Sequence, residues 1–556
     1  MTVLIRLVFA PGMPRTEMFR FLRRVATDHA AAARLGMPVL EFREARLARA
    51  AGTLSRRDAL RIFGASAAVL GAASVLRAPR AAAVPLGGTE ARIAVIGAGI
   101  AGLNTALALA DAGVRCTVYE ASDRVGGRMF SERDYWGGGQ VTEYGGELID
   151  TDHSVIRALC KRFSIGLTDI RAAEPVGSND VLYYEGRYRS HAEFVAEFQP
   201  VYKALRADID RAGADAPTWD SSTPFGVALS RMSVQEWIST RVPGGYSTWI
   251  ARFLDDAYVV EYGRDTSEQT AVNLAYMMID QSDLSEPEIW GASDERFHIT
   301  AGNQTLPEAI ARALPAGTVQ HGHRLEALVR NSDGSQTLHF DTGAVRADHT
   351  VLTVPLGVLQ RLDLSRAGFD PRMRGAVSQL QMGFCTKLHM RFSSRPWLGH
   401  GPWPGVANGI SFSDTGYQQV WDATTGQPGP SGIAVQYGGG SGALSFQPSS
   451  PFSNAFSPYV RSSVRQKLSQ LAPVVPPLAD AYTGQATLAA WHRNPLSHGA
   501  YSCYPVDYCH RFAGYEATRQ GLIHLAGEHT SVDSQGYMNG GAESGARAAA
   551  ELLSLL

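Results

Sequence analysis

The sequence has no surplus of positive charge and little cysteine, and each absence excludes a class of function. Its 51 lysines and arginines are balanced by 53 acids, for a formal net charge of −2. A nucleic-acid partner requires a large, concentrated positive surplus, so none is expected. The five cysteines show no CxxC pairing, so neither a metal site nor a disulfide framework is expected. Cys503 and Cys509 are close enough in sequence to leave a disulfide between them as an alternative.

The chain is too long for one hydrophobic core. At 556 residues, two joined domains are the default expectation. Hydrophobic residues make up 45% and charged residues 19%, which is an ordinary globular balance. No internal repeat is visible. The chain ends at Leu556 without an apolar tail, so we expect no membrane anchor in the mature protein.

Residues 1–83 are typical of an export leader. Residues 55–60 (SRRDAL) precede the apolar stretch 62–76, and the small-residue triplet 81–83 resembles a cleavage site. The stretch is shorter than the roughly 20 residues of a transmembrane helix. The arginine pair therefore favours a twin-arginine signal and a periplasmic or extracellular location, with a basic amphipathic helix as the alternative. Residues 1–54 are either an unusually long leader or the product of a misassigned start.

A compact βαβ unit opens the mature chain. Residues 92–96 are an apolar run typical of a buried parallel strand, and 97–102 (GAGIAG) follow directly. A helix is predicted over 103–112, ended by Gly113, and a second strand over 116–119. A GxGxxG motif indicates dinucleotide binding when it lies between a strand and a helix in this order.

The unit predicts a dinucleotide site, against the alternative of a glycine-rich turn in an unrelated α/β domain. Gly97 makes the tight turn, Gly99 lets a phosphate approach the backbone, and Gly102 lets the helix pack on the strand. The helix N-terminus then faces the pyrophosphate. Glu120, at the end of the second strand, can accept both ribose hydroxyls and repels a 2′-phosphate, so NADP is disfavoured.

Further glycine pairs distinguish FAD from NAD. They lie in 123–128 (DRVGGR) and 143–147 (EYGGE), and a plain NAD domain does not need them. A longer, extended cofactor requires close backbone approach at several points. With these motifs the sequence resembles the flavin amine oxidases of the exported bacterial type, a family that includes monoamine oxidases, polyamine oxidases and L-amino acid oxidases.

The resemblance recurs at the C-terminal end, in 525–530 (LAGEHT) and 536–545 (GYMNGGAESG). It implies that Glu528 holds the ribityl chain and that the helix beginning near Met538 points at the flavin O2/N1 edge. A helix N-terminus there would stabilise the negative charge of reduced flavin. Other residues implied to contact FAD are Gly126, Gly127 and Arg128 at the pyrophosphate, Gly145 and Gly146 beside the flavin ring, and Leu325 at the adenine.

The resemblance also implies a catalytic set. Lys387, in 381–389 (QMGFCTKLH), matches the lysine that binds a water bridging to flavin N5 and assists the reaction with oxygen. Tyr501 and Tyr537 match the two walls of an aromatic substrate cage, whose ring faces attract the amine. From position alone, a surface lysine on an edge strand is an equal alternative for Lys387, and ordinary core packing is the lesser alternative for each tyrosine.

The implied reaction is hydride transfer from the substrate α-carbon to flavin N5, imine hydrolysis, and reoxidation by O2 to give hydrogen peroxide. In membrane-bound monoamine oxidases a cysteine in this region is bonded to the flavin. Here the residue before Tyr501 is Ala500, so non-covalent FAD is predicted.

The choice between amine and L-amino acid stays open. An α-carboxylate is usually bound by an arginine, and the stretch 146–150 (GELID) has none. Glu147 either binds a cationic group, as in polyamine oxidases, or is a structural acid satisfied by backbone. Arg252 and Arg264 are alternative carboxylate partners. The helical segment 260–263 (VEYG) looks like one in soluble bacterial amino acid oxidases and favours amino acids slightly.

The predicted fold class is α/β, with a Rossmann-like FAD-binding domain interleaved with an α+β substrate domain. Residues 84–152, 297–372 and 484–556 are assigned to the first, and 153–296 and 373–483 to the second. An FAD-dependent desaturase or isomerase shares this fold but does not need the cage or Lys387. A non-catalytic flavoprotein is the other rival. The oligomeric state stays open, with a homodimer as one arrangement.

Overall fold

The structure is a computed structural model that describes residues 91–278, 294–476, 478–531 and 534–556. The predicted leader, residues 1–83, lies outside these ranges. None of the helices within them has the length and apolar character that crossing a bilayer requires.

A parallel sheet gathers strands from three distant parts of the chain. In the described residues it has five strands, with Ile93–Ile96 at its centre. All four residues of that strand are buried, as in a parallel sheet covered on both faces. The order across the sheet is Ile523–Leu525, His349–Leu352, Ile93–Ile96, Thr117–Tyr119 and Val319–Gln320. This confirms the Rossmann-like domain and its interleaving.

Two helices pack closely on this sheet. Helix Ile100–Asp111 follows the glycine motif, and helix Met538–Leu553 closes the chain. A Cβ placed on Gly545 would lie 2.2 Å from the carbonyl oxygen of Ala101, so the two backbones approach as only glycine permits. The helices also meet near their first turns, where a Cβ on Gly541 would lie 2.8 Å from Cγ2 of Ile100.

A larger mixed sheet forms the base of the second domain. In the described residues its main path runs Phe452–Asn454, Tyr482–Ala490, Cys385–Phe392, Gly432–Gly439, Gln419–Asp422, Ala407–Ser413, Asn179–Tyr184 and Arg187–Arg189, with Leu398–Gly399 paired to Ala407–Ser413. It continues to Ala490, so it includes residues beyond the sequence boundary at 483. Helix Ser154–Arg162 packs into the core of the parallel-sheet domain. The helices that follow it in the chain are Ile170–Ala173, His191–Ala212, Pro224–Arg231, Val234–Arg241, Trp249–Tyr262 and Ala271–Met278.

Smaller elements complete both domains. A three-stranded antiparallel sheet, Leu325–Arg330, Gln336–Phe340 and Gly343–Ala347, covers one face of the parallel sheet. Short strand pairs join Ser131–Glu132 to Thr142–Glu143, Leu167–Asp169 to Phe297–Ile299, and Gln381–Met382 to Ser502–Cys503. The remaining α-helices are Thr305–Ala313, Leu356–Leu359, Pro371–Gln379, Gly440–Leu444, Pro458–Leu471, Leu478–Ala481 and Cys509–Phe512.

Candidate active site

A cavity of about 710 Å³ runs from the parallel sheet to the large mixed sheet. Its walls include the predicted cofactor, catalytic and substrate residues with the exception of Gly102. Gly102 lies under the first turn, where an added Cβ would be 2.0 Å from the carbonyl oxygen of Gly97. Its role is therefore the packing of helix on strand that the motif predicts.

The glycine pair Gly145–Gly146 is required by close contacts. A Cβ on Gly145 would lie 1.9 Å from the carbonyl oxygen of Arg128, and one on Gly146 would lie 2.8 Å from Cγ of Met538. Three predicted cofactor segments, 123–128, 143–147 and 536–545, thus meet at this point. A larger residue at Gly145 would displace the backbone at Arg128, whereas one at Gly146 would displace the side chain of Met538.

Glu120 is held rigidly at the end of its strand. Its Oε1 accepts hydrogen bonds from the backbone N–H and the hydroxyl of Ser122, at 2.8 and 2.7 Å. Its Oε2 accepts from the backbone N–H of Ala98 at 2.8 Å. The carboxylate is oriented by the glycine loop itself, where the sequence predicts ribose binding.

Glu528 is buried and accepts four hydrogen bonds. Its oxygens accept from Arg128 Nη1 at 2.9 Å, from the backbone N–H and hydroxyl of Ser502 at 3.1 and 2.8 Å, and from the backbone N–H of Gly536 at 2.9 Å. Burial acts against ionisation, but the charge of Arg128 brings the pKa of Glu528 below its ordinary value. The carboxylate ties three cofactor segments together, and contact with the ribityl chain stays a prediction.

Lys387 and Glu147 form a buried ion pair in the cavity wall. Lys387 Nζ lies 2.5 Å from Glu147 Oε2 and donates to the carbonyl oxygen of Gly145 at 3.0 Å. The two side chains are only 8% and 9% exposed, which excludes a surface lysine. Trp421 Nε1 donates to Glu147 Oε1 at 2.9 Å.

The protonation state of Glu147 follows from these contacts. Burial acts to raise its pKa, but the charge of Lys387 and the hydrogen bonds from Lys387 and Trp421 bring the pKa below its ordinary value. Glu147 is therefore ionised at neutral pH. Its carboxylate is satisfied by side chains, and not by backbone as one sequence interpretation held.

Tyr501 is fixed by its hydroxyl so that its ring forms the wall. The hydroxyl donates to the carbonyl oxygen of Val260 at 3.0 Å and lies 2.8 Å from the hydroxyl of Tyr437. Cys385 Sγ donates to the hydroxyl oxygen of Tyr501 at 3.3 Å. The ring of Tyr437 packs on Trp421, with 5.4 Å between centroids. The aromatic wall is thus continuous from Tyr501 to the ion pair.

Three residues of this wall, Cys385, Trp421 and Tyr437, were not predicted from the sequence. Cys385 is two residues before Lys387 on one strand, so it shares its face. Tyr437 is the register partner of Lys387 on the neighbouring strand. Trp421 comes from a third strand, and no local signal in the sequence indicates it.

Tyr537 stands at the start of the last helix and packs on His153. The ring centroids are 4.9 Å apart at an interplanar angle of 64°. Asn539, two residues later, holds the start of this helix in place. Its Oδ1 accepts hydrogen bonds from the backbone N–H groups of Val155 and Ile156 at 3.2 Å each. Asn539 thereby satisfies the first turn of helix Ser154–Arg162 from another helix.

The two arginines proposed as carboxylate partners lie elsewhere. Arg252 Nη2 donates to Glu185 at 2.6 Å, and Arg264 donates to Glu268 at 3.1 Å and to the carbonyl oxygen of Met382 at 2.9 Å. Neither is among the described residues that line the cavity. None of the five cysteines, all within the described ranges, forms a disulfide.

The fold and this cavity agree with the flavin-dependent oxidoreductase class that the sequence predicts. A profile of the family described as flavin containing amine oxidoreductase matches residues 100–553, and the chain belongs to this family. Family membership confirms the resemblance found in the sequence and implies a flavin cofactor and small amine substrates.

Individual relatives are distant but cover most of the chain. The L-amino-acid oxidase of Siganus canaliculatus is 23% identical over 496 residues, which is 84% of this chain and 85% of that protein. Polyamine oxidase 5 of Oryza sativa subsp. japonica is 24% identical over 82% of this chain and 86% of its own length. The structure of cyclohexylamine oxidase from Brevibacterium oxydans IH-35A superposes with a TM-score of 0.70 at 22% identity, covering 84% of this chain and 99% of that one. The structural likeness confirms the fold.

Proposed function

We propose that the protein is an FAD-dependent oxidase of an amine or L-amino acid that uses O2 as electron acceptor. The observation that carries the proposal is the buried Lys387–Glu147 pair, in one cavity with the glycine cradle and an aromatic wall. Gly145 and Gly146 line the cavity and present backbone without side chains, which fits a flat ring system such as a flavin.

The overall reaction consists of two half-reactions, oxidation of the substrate and reduction of O2. FAD held by the glycine segments, Glu120 and Glu528 would supply the redox chemistry, as a hydride acceptor for the carbon that bears the nitrogen and as a two-electron donor to O2. The substrate loses that hydride and one N–H proton to become an imine, which water hydrolyses to a carbonyl compound and ammonia or an amine. O2 takes up two electrons and two protons to become hydrogen peroxide.

The residues of the chain orient the substrate and stabilise the charge that develops during the reaction. Lys387 places a fixed cation beside the Gly145–Gly146 segment, where it stabilises negative charge as O2 is reduced. The rings of Tyr501 and Tyr537 border the cavity and limit the directions from which an amine approaches. Their negative faces attract its positive charge.

We further propose that FAD is bound without a covalent link and that the protein is exported. Cys503 is buried and is not among the described residues that line the cavity, and Ala500 supplies no thiol. Cys385 does line the cavity, but its Sγ donates to the hydroxyl oxygen of Tyr501 at 3.3 Å. Acid precipitation should therefore release FAD into the supernatant. Residues 55–83 support twin-arginine export, which is tested by fractionating cells and sequencing the N-terminus of the exported protein.

The experiment is peroxide release by the purified yellow protein on panels of L-amino acids and of mono-, di- and polyamines. Release on either panel, together with bleaching of the flavin band under anaerobic conditions, supports the proposal. Bound flavin with no peroxide and no bleaching on any compound would overturn it and favour the desaturase.

A further inference from the structure

Trp421 contacts both members of the buried ion pair in the cavity wall. Its Nε1 donates to Glu147 Oε1 at 2.9 Å, and the centroid of its ring lies 5.4 Å from Lys387 Nζ. An ammonium group at this distance from an aromatic ring is attracted by the negative ring face. The three side chains therefore form one unit, in which the tryptophan holds the carboxylate and the carboxylate holds the lysine.

Two of the three N–H bonds of the Lys387 ammonium group are directed to fixed acceptors. Nζ donates to Glu147 Oε2 at 2.5 Å and to the carbonyl oxygen of Gly145 at 3.0 Å. No third acceptor for it is found among the residues that the structure describes. An ammonium group has three donors, so the first two bonds set the direction of the third. Since Lys387 lines the cavity, this third N–H is the donor that it can offer to a small molecule there.

Glu147 can hold the lysine only while its own carboxylate is fixed. One oxygen accepts from Lys387 and the other from Trp421. The last torsion of a glutamate side chain has a broad energy profile, so a single hydrogen bond leaves the carboxylate free to turn. The second bond, from Trp421 Nε1, removes that freedom. Trp421 therefore restricts the position of Lys387 through a residue that lies between them.

The large sheet in turn fixes Trp421. Tyr437, on the paired strand, packs its ring on Trp421 with 5.4 Å between centroids. The next residue, Asp422, is buried and accepts hydrogen bonds from Trp397 Nε1 at 3.1 Å and from the backbone N–H of Thr424 at 2.8 Å. The indole is thus held by a ring contact on one side and by an anchored backbone on the other.

We propose that Trp421 is a positioning residue for Lys387, that it acts through Glu147, and that the step it serves is the reduction of O2. The inference rests on the proposed oxidase function, in which the ammonium group of Lys387 stabilises negative charge on oxygen. A cation contributes most to such a step when it needs no reorientation during the reaction. Loss of the Trp421 N–H should therefore slow reoxidation of the flavin much more than its reduction by substrate.

The first arm of the test measures the two half-reactions separately on the holoenzyme. Flavin reduced by a stoichiometric amount of dithionite is mixed with O2, so reoxidation is followed without any substrate. In Trp421→Phe this rate should fall about tenfold, as expected for one lost hydrogen bond to a charged group. Anaerobic reduction by the best substrate should change by less than about threefold, since the ring that borders the cavity is kept.

Trp237→Phe is the matched control. Trp237 Nε1 also donates to a carboxylate, Asp208 Oδ2 at 2.9 Å, but neither residue lines the cavity. This variant should reoxidise at the wild-type rate. Equal losses in both half-reactions, or no loss in a Trp421→Phe protein with wild-type flavin content, would overturn the inference. If that protein does not fold, 3-benzothienylalanine at position 421, in which sulfur replaces the N–H at nearly the same shape, provides the same test.

The second arm tests the route through Glu147 and adds a readout other than activity. In a Glu147→Met background the carboxylate is absent, so adding Trp421→Phe should slow reoxidation by less than about twofold. The Tm of the holoenzyme should show the same coupling, with a drop for Trp421→Phe that becomes much smaller beside Glu147→Met. Additive effects in either quantity would show that Trp421 does not act through Glu147 and would overturn the inference. If Glu147→Met does not fold, Lys387→Met supplies the second background for the rate, because the group to be positioned is then missing.

Failure of the proposed function gives a different result. If no amine or amino acid of the panels above reduces the wild-type flavin, the substrate assignment is overturned, while reoxidation after dithionite still measures the role of Trp421. If reduced wild-type enzyme reacts with O2 no faster than free reduced flavin, the use of O2 as acceptor and the inference are both overturned.

Discussion

Lys387 Nζ donates both to the carboxylate of Glu147 and to the backbone carbonyl of Gly145, two residues earlier in the same segment. The lysine is therefore held against the backbone predicted to pass beside the flavin ring. Its ammonium group is fixed in position before any substrate or oxygen arrives. Electrostatic groups that need no reorganisation during the reaction contribute most to rate.

Replacing Lys387 should separate the two half-reactions. In Lys387→Met we expect the rate of reoxidation by O2 to fall about 100-fold because a fixed cation is lost. Anaerobic reduction by the substrate should change far less. Stopped-flow absorbance of the flavin band, first without and then with oxygen, measures both rates. An equal loss in both would contradict the assignment.

Two controls accompany this variant. Glu147 is left buried without its cation in Lys387→Met, which costs about 3–5 kcal/mol of stability. The double variant Lys387→Met with Glu147→Gln removes that cost and should fold better while keeping the oxygen defect. Lys467→Met tests another buried ammonium group, one that donates to the carbonyl oxygen of Gly416 outside the cavity, and should leave reoxidation unchanged.

Tyr501 should act through its ring and not through its hydroxyl. The hydroxyl is directed to Val260 and Tyr437, so Tyr501→Phe should cost about 1 kcal/mol of stability and alter kcat/KM little. Tyr501→Ala removes the wall and should lower kcat/KM by about 100-fold through lost orientation. Steady-state kinetics with thermal unfolding measures both effects. A large kinetic defect in the phenylalanine variant would assign the hydroxyl a direct role.

The sequence predicts the glycine-rich wall of the cavity because the signals for it are local. Strand, glycines, helix and acid lie within 92–120, and each imposes its own backbone geometry. The substrate half depends on contacts between distant residues. Asp150 reaches Glu295 across 145 positions, and Trp421 reaches Glu147 across 274. These two contacts depend on the strand register of the large sheet and on which chain segments pack against each other. No local sequence pattern indicates either.

Acidification should destabilise the wild type partly through Glu147. Its folded pKa lies below the ordinary glutamate value of 4.5, so its stabilising contribution is complete above that pH. That contribution is lost as the pH falls through the lower folded pKa. The unfolding free energies of wild type and Glu147→Gln should therefore converge as the pH falls below 4.5. Urea titrations at several pH values measure this, and a constant difference between the two proteins would contradict it.

Two glycines of the first turn should have different roles. Gly102 should be needed for packing of the helix on the strand, and Gly99 should be needed for FAD binding. A Cβ on Gly102 meets the Gly97 carbonyl oxygen at 2.0 Å, while a Cβ on Gly99 meets nothing within 4 Å. Gly102→Ala should therefore destabilise the apoprotein, because backbone must move. Gly99→Ala should leave the apoprotein as stable as wild type, since it fills only space that the protein does not use.

The two variants are distinguished by measuring FAD affinity and apoprotein stability separately. Thermal unfolding of apoprotein should show a lower Tm for Gly102→Ala alone. FAD titration followed by flavin fluorescence should show weaker binding for Gly99→Ala, because the added methyl group stands where the pyrophosphate must approach the backbone. Wild-type FAD affinity in a normally folded Gly99→Ala protein would mean that the dinucleotide lies further from this turn than the motif requires. The prediction thus tests the placement of the cofactor without using enzymatic activity.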